Sequence, residues 1–181
     1  TPLSPIINCE AQSSGDIYFY ESEGIYPTDF SWVNNNTNIG LATSGTTNDF
    51  ITGFNLDNPG NTAITATINV TGSFTYPLYP NPLSLTCSGN TETFTITVNP
   101  TAQVDQPANQ VFCNGTNTSL INFSTANTLG TTTYTWTNNN PSIGLLGNGT
   151  GPIPTFQAIN IGSIPLVATI TVTPTYSYAG I

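Results

Sequence analysis

The side chains here that could act on another molecule are few: nine Asp and Glu, three Cys and many hydroxyls, with no Lys, Arg or His among 181 residues. Glu21 and Glu23 stand two apart, and paired carboxylates are the acid and base of glycoside hydrolysis. Asp16, Glu21, Glu23, Asp29, Asp49 and Asp57 crowd the first half of the chain, where carboxylates of that density could gather calcium. Cys9, Cys87 and Cys113 offer thiol or disulfide chemistry. Against each reading stands what is missing around it. Ser-His-Asp and Cys-His nucleophiles, Schiff-base lysines, phosphate-binding lysines and His-ligated zinc all need residues this chain lacks. No cationic neighbour is available to activate a thiol. No EF-hand or other oxygen-rich loop spacing accompanies the acids. The expectation is a protein that is not an enzyme and uses no cofactor and no metal.

Charge narrows the partners. A formal net charge of -9 with no compensating cation leaves nothing to displace counterions from a nucleic acid, and nothing basic to meet an anionic lipid surface. Thr and Asn supply 56 of the 181 residues, so uncharged polar groups take over solubility from charges, which are only 5% of the chain. Hydrophobic residues at 37% still provide a core to bury. The chain has no Met, no leader pattern and no apolar run near the length of a membrane span, so no direct membrane insertion is expected. It reads as an excerpt or a processed product from an exposed, extracellular setting.

The elements that must carry these residues are strands. Residues 17–22, 29–34, 63–74 and 92–98 alternate apolar residues with Thr, Asn or Ser at period 2, as do 120–125, 133–138 and 165–178. That is the pattern of half-buried antiparallel strands, and no window carries a helical period.

The chain also repeats itself. Trp32 to Gly45 (WVNNNTNIGLATSG) returns as Trp136 to Gly149 (WTNNNPSIGLLGNG) at an offset of 104, which Cys9 and Cys113 share. Phe54 to Val70 returns as Phe156 to Val172 at an offset of 102, carrying Asn58, Gly60, Ala66, Thr67, Ile68 and Val70 onto Asn160, Gly162, Ala168, Thr169, Ile170 and Val172. The repeat places Thr133 opposite Asp29 and Ile159 opposite Asp57, so the acids do not form a shared calcium site.

Two units follow, residues 1–100 and 101–181, with Val98, Asn99 and Pro100 as the joint. Six or seven short strands per unit predict all-β architecture, two tandem immunoglobulin-like β-sandwich domains, with a barrel as the weaker alternative. The second unit stops about 20 residues short and is expected to lack its last strand. Phe30 with Trp32, and Tyr134 with Trp136, sit two apart in a strand, share a face and are assigned to the two cores. Cys9 and Cys87 are expected near one end of the first sandwich, either bridged or as buried thiols; the bridge is the preferred hypothesis, and Cys113 would have its partner past residue 181. The Asn triplets Asn34 to Asn36 and Asn138 to Asn140 are read as turn makers.

The pattern Y/F-x-W-x-N-N-N-x-x-I-G-L-x-x-x-G, then F-x-x-x-N, A-T-I-x-V and C-x-G-x-x-x-x-F-T-I-T-V-N-P, resembles the PKD-like repeats of giant Bacteroidota surface proteins, those of the SprB-type gliding-motility adhesins above all. That resemblance implies type IX secretion, display on the cell surface of a Gram-negative bacterium and tandem arrays of many copies. The Gly-Asp loop of better-known PKD modules is replaced here by the Asn triplets.

Three roles emerge as expectations. The first is a stalk or spacer in a secreted adhesin, whose partners are neighbouring repeats of the same polypeptide. The second is a filament subunit completed by identical protomers through strand donation, with Thr1 to Asn8 as donor. The third is recognition of surface polysaccharide by loop aromatics, Tyr76, Tyr79, Tyr176 and Tyr178.

Overall fold

A computed structural model of the chain describes residues 3–20, 28–77 and 84–178. The fold is all-β, built of strands and short 3-10 turns, and its curled mixed sheets are compatible with a β-sandwich. The chain divides into two compact units, Thr1–Thr101 and Ala102–Ile181.

The described part of unit 1 contains seven strands: β1 (Ile6–Cys9), β2 (Ile17–Tyr18), β3 (Asp29–Asn34), β4 (Ser44–Thr47), β5 (Phe50–Ile51), β6 (Ile64–Pro77) and β7 (Ser84–Asn99). Five form one sheet in the order β1-β7-β6-β3-β4, and β2 pairs with β5 in a second. Their inner faces share one core, in which Ile17, Phe19 and Ile51 of the small sheet region meet Trp32, Ile68, Phe94, Ile96 and Val98 of the large one. Alternation does the sorting. Along β3 the burial runs exposed, buried, exposed, buried, so Phe30 and Trp32 point inward while Ser31 and Val33 point out. Hydroxyls pair across the strands, Thr65 with the buried Thr97 at 2.9 Å and, exposed, Thr71 with Thr91 at 2.8 Å, and the exposed pair solvates the sheet without charge.

β7 is central to unit 1. It runs antiparallel to β6, with Ile64, Ala66 and Ile68 opposite Val98, Ile96 and Phe94, and parallel to β1, with Ile6 opposite Ile96. Farther out, beyond a register shift between Thr71 and Ser73, β6 and β7 continue as a two-stranded ribbon to Pro77 and Ser84.

Unit 2 contains β8 (Thr131–Asn138), β9 (Asn148–Thr150) and β10 (Ile170–Ser177), in one sheet of order β10-β8-β9. The expected strand at 120–125 is reduced to a single bridge, Ile121 to Ile153, and the segment at 165–178 becomes strand only from Ile170. The reason is physical: in unit 1 the equivalent stretch is held on its far side by β7, and among the described residues of unit 2 no strand takes that place.

Candidate functional site

The repeated motif builds the same hydrogen-bonded frame in both units. At its centre the indole of Trp32 lies beneath Gly45, where a Cβ would come within 2.5 Å of the ring, and Trp136 lies beneath Gly149, where the distance would be 2.3 Å. Any side chain larger than hydrogen at either Gly would collide with the core tryptophan.

Each Asn of the triplet has a separate task. Asn34, buried, donates from Nδ2 to the carbonyls of Leu41 and Ala42 at 2.9 and 3.2 Å and accepts the amide of Asn36 at 2.9 Å. Asn138 does the same with Leu145, Leu146 and Asn140. These bonds close a loop around the 3-10 turns Thr37–Ile39 and Pro141–Ile143, which end on Gly40 and Gly144 at φ 91 and 98. A Cβ at either Gly would also meet a carbonyl oxygen at 2.3 Å, Asn55 in one unit and Gln157 in the other.

The second and third Asn stand in for a strand. β3 ends opposite Ile68, and beyond that point Asn35 Oδ1 accepts the Thr67 amide at 2.7 Å while Asn36 Nδ2 donates to the Thr65 carbonyl at 3.3 Å. In unit 2 Asn139 Oδ1 accepts from Thr169 at 2.8 Å and Asn140 Nδ2 donates to Val167 at 3.0 Å. Two side chains thereby satisfy main-chain groups that a neighbouring strand would otherwise bond. The triplets therefore do more than turn the chain.

A third Asn marks the difference between the units. Asn58 Nδ2 donates both to Thr62 at 2.9 Å and to Val98 of β7 at 2.8 Å, while its Oδ1 accepts from Gly60. Asn160 repeats the local pair, donating to Ile164 at 2.9 Å and accepting from Gly162 at 3.0 Å. The signal for this role was in the sequence, since Asn58 and Asn160 align, but the alignment does not disclose the partner carbonyl on a distant strand.

Beside this frame the other candidate residues fall apart. Phe30, Trp32 and Trp136 are buried as expected, whereas Tyr134 is only half-buried and meets Phe123 at 5.3 Å between ring centroids, as Phe30 meets Phe19 at 5.3 Å. The Cys9 to Cys87 bridge is not present: all three thiols are free and exposed. Cys9 lies opposite Asn99, and Cys87 sits twelve residues earlier in the same strand as Asn99, on the order of 40 Å of extended chain. A disulfide needs Cα atoms about 4.4 to 6.8 Å apart. β7 is far longer than expected, and that length carries Cys87 out on the ribbon.

Val98 and Asn99 end β7 and are buried together with Pro100, and the division between units falls after Thr101, one residue past the expected joint of Val98, Asn99 and Pro100. Glu10 accepts the Thr101 amide at 3.1 Å and also bonds its hydroxyl, fixing the chain where it leaves unit 1.

Asp16 is engaged by the Gly53 amide at 2.7 Å, and among the described residues no three acids or thiols gather as a metal cluster would require. Glu21, Glu23 and Tyr79 lie outside the described residues. Of the other aromatics proposed to meet a ligand, Tyr76 is exposed, but Tyr176 is buried and donates its hydroxyl to the Thr128 carbonyl at 2.9 Å. Tyr178 is half-buried. Sequence reading missed the surface group of Tyr18, Tyr20 and Phe50, in which Tyr18 stands 6.3 Å from Tyr20 and 5.1 Å from Phe50; β2 and β5 had to pair before these rings could meet.

Comparison with protein-family models, curated protein sequences and solved structures finds no match to this chain. The described residues include no helix long and apolar enough to cross a membrane.

Proposed function

We propose that the two units are non-catalytic structural repeats of a large secreted surface protein, spacers that carry an adhesive part away from the cell. The observation that carries this reading is the frame built twice: Trp under Gly, a buried Asn closing the loop, and two Asn side chains clamping the next strand recur in both units with the same partners at constant offsets. A module that recurs with its backbone-satisfying side chains intact is one whose conserved task is to hold its own shape. Extracellular display on a Gram-negative surface, in tandem arrays whose partners are neighbouring repeats, belongs to the same proposal.

The test is the mass of the native polypeptide, denatured and reduced. A spacer repeat predicts a chain on the order of hundreds of kilodaltons. A native chain near 19.1 kDa overturns the proposal and leaves the filament subunit as the reading to pursue.

A further inference from the structure

One small surface differs between the units although the structure beneath it is shared. In unit 1, β2 pairs with β5, with Ile17 opposite Ile51 and Tyr18 opposite Phe50. Unit 2 keeps the same contact as the bridge between Ile121 and Ile153. The inward side chains correspond: Ile17, Phe19 and Ile51 pack into the core of unit 1, and Ile121, Phe123 and Ile153 pack into that of unit 2. The outward ones do not. Tyr18, Tyr20 and Phe50 are replaced by Asn122, Ser124 and Pro152, all three exposed. The fold therefore needs the inner residues of this pairing and not the outer rings.

In unit 1 those rings form a strip. Tyr18 lies 6.3 Å from Tyr20 with the ring planes 22° apart, and 5.1 Å from Phe50 with the planes 39° apart. Tyr18 is 43% and Tyr20 74% exposed, and Phe50 is half-buried. Three adjoining rings left in water, on a chain that otherwise solvates itself with Thr and Asn, mark a place of contact with another molecule. Their extent limits what that molecule is. An aromatic side chain covers about 150 to 250 Å² when fully buried, so three rings already partly covered fall well short of the roughly 800 Å² per partner of a stable protein interface. A narrow ligand lying along the row of rings fits this strip.

Charge narrows the ligand further. The chain has no Lys, Arg or His, and the exposed Asp49 directly precedes Phe50. A carboxylate accepts hydrogen bonds, donates none and repels an anion. The complementary ligand presents C–H groups to the electron-rich ring faces and O–H donors to the surrounding oxygens, and it carries no negative charge. A neutral sugar chain has both, since a pyranose ring bears C–H groups on its faces and hydroxyls around its edge.

We infer that Tyr18, Tyr20 and Phe50 form a stacking platform for a neutral polysaccharide, a binding site that unit 1 carries and unit 2 does not repeat. The inference goes beyond the spacer reading and does not depend on the length of the native polypeptide, so the mass measurement and the following experiment can fail separately.

The experiment is affinity electrophoresis of the full chain in native gels containing laminarin, galactomannan, hydroxyethyl cellulose or starch, with alginate as the polyanionic control. The expected result is retardation by at least one neutral polysaccharide and none by alginate. Tyr18→Asn combined with Tyr20→Ser installs the residues that unit 2 tolerates at the same places, and the Trp32 denaturation midpoint in a Trp136→Phe background checks that unit 1 still folds. The doubly substituted chain should bind about tenfold more weakly or worse. Tyr20→Ser alone, at a position outside β2 and β5, should weaken binding by about threefold without disturbing a strand. Tyr18→Phe combined with Tyr20→Phe keeps the rings and should retain most of the retardation. The inference is overturned if no neutral polysaccharide retards the chain, if alginate retards it equally, or if the Tyr18→Asn, Tyr20→Ser chain binds as well as the original. It is also overturned if the chain sediments as a dimer that these substitutions dissociate, since the strip would then be a contact between copies.

Discussion

Unit 1 and unit 2 hold the same Trp-Gly-Asn frame and differ in what that frame supports. In unit 1, Ala66, Ile68, Phe94, Ile96 and Val98 are all buried in a core between two sheets. In unit 2, Ala168 and Ile170 are only half-buried, Leu166 is exposed, and the buried apolar cluster reduces to Trp136, Leu145 and Ile153 with partly buried neighbours around it. The difference teaches that the frame is local and self-sufficient, whereas the two-layer core depends on one strand arriving from farther along a chain. The loop from Asn34 to Leu41 closes on itself, and so does that from Asn138 to Leu145. β7 contributes apolar side chains, main-chain partners for two strands and the acceptor for Asn58, all at once.

The comparison breaks most visibly at β7. Ile96→Ala removes a fully buried side chain facing Ala66 and Ile6 and should cost unit 1 about 2 to 5 kcal/mol with no effect on unit 2. Each unit holds one Trp, so denaturant titrations followed by fluorescence in Trp136→Phe and Trp32→Phe backgrounds report the units separately. A matching loss in unit 2 would show that the cores are not independent.

The shared frame is tested by Asn34→Ala and Asn138→Ala. Each strips partners from two carbonyls and an amide beside the core, and each should cost about 2 to 3 kcal/mol in its own unit. The same fluorescence titrations measure both, and a clearly unequal pair would refute the claim that the frame is equivalent in the two units.

The smallest effect concerns one backbone angle. Ala11 has φ 61 where unit 2 has Gly115 at φ 81, and a side chain in that region is strained. Ala11→Gly should stabilise unit 1 by about 0.5 to 1 kcal/mol, and Gly115→Ala should destabilise unit 2 by a similar amount. Both shifts are read as changes in denaturation midpoint, and a destabilised Ala11→Gly chain would show that this turn differs between the units.

Much of the fold was legible because alternation and repetition are local signals. Asp29 to Asn34 reads as a strand and is one, and Phe30, Trp32 and Trp136 read as core and are core. The Asn triplets were legible as turns, but their clamping of Thr67 and Thr169 was not, since that bond joins residues about thirty positions apart. The disulfide failed for a similar reason: strand order and strand length place Cys87 on the β6-β7 ribbon, and Cys spacing contains neither. Tyr176 looked like an exposed loop aromatic until β8 and β10 paired and turned it onto Thr128.

By itself the sequence determined the all-β class, the two-fold repetition, the inward face of the Phe30-Trp32 strand and a surface solvated by Thr and Asn rather than by charge, because each follows from residue type and short-range period. Only the tertiary structure decided that β7 lies between β1 and β6 and that the thiols stand apart. Those outcomes depend on main-chain hydrogen bonds between strands far apart in the chain, whose partners no local pattern specifies.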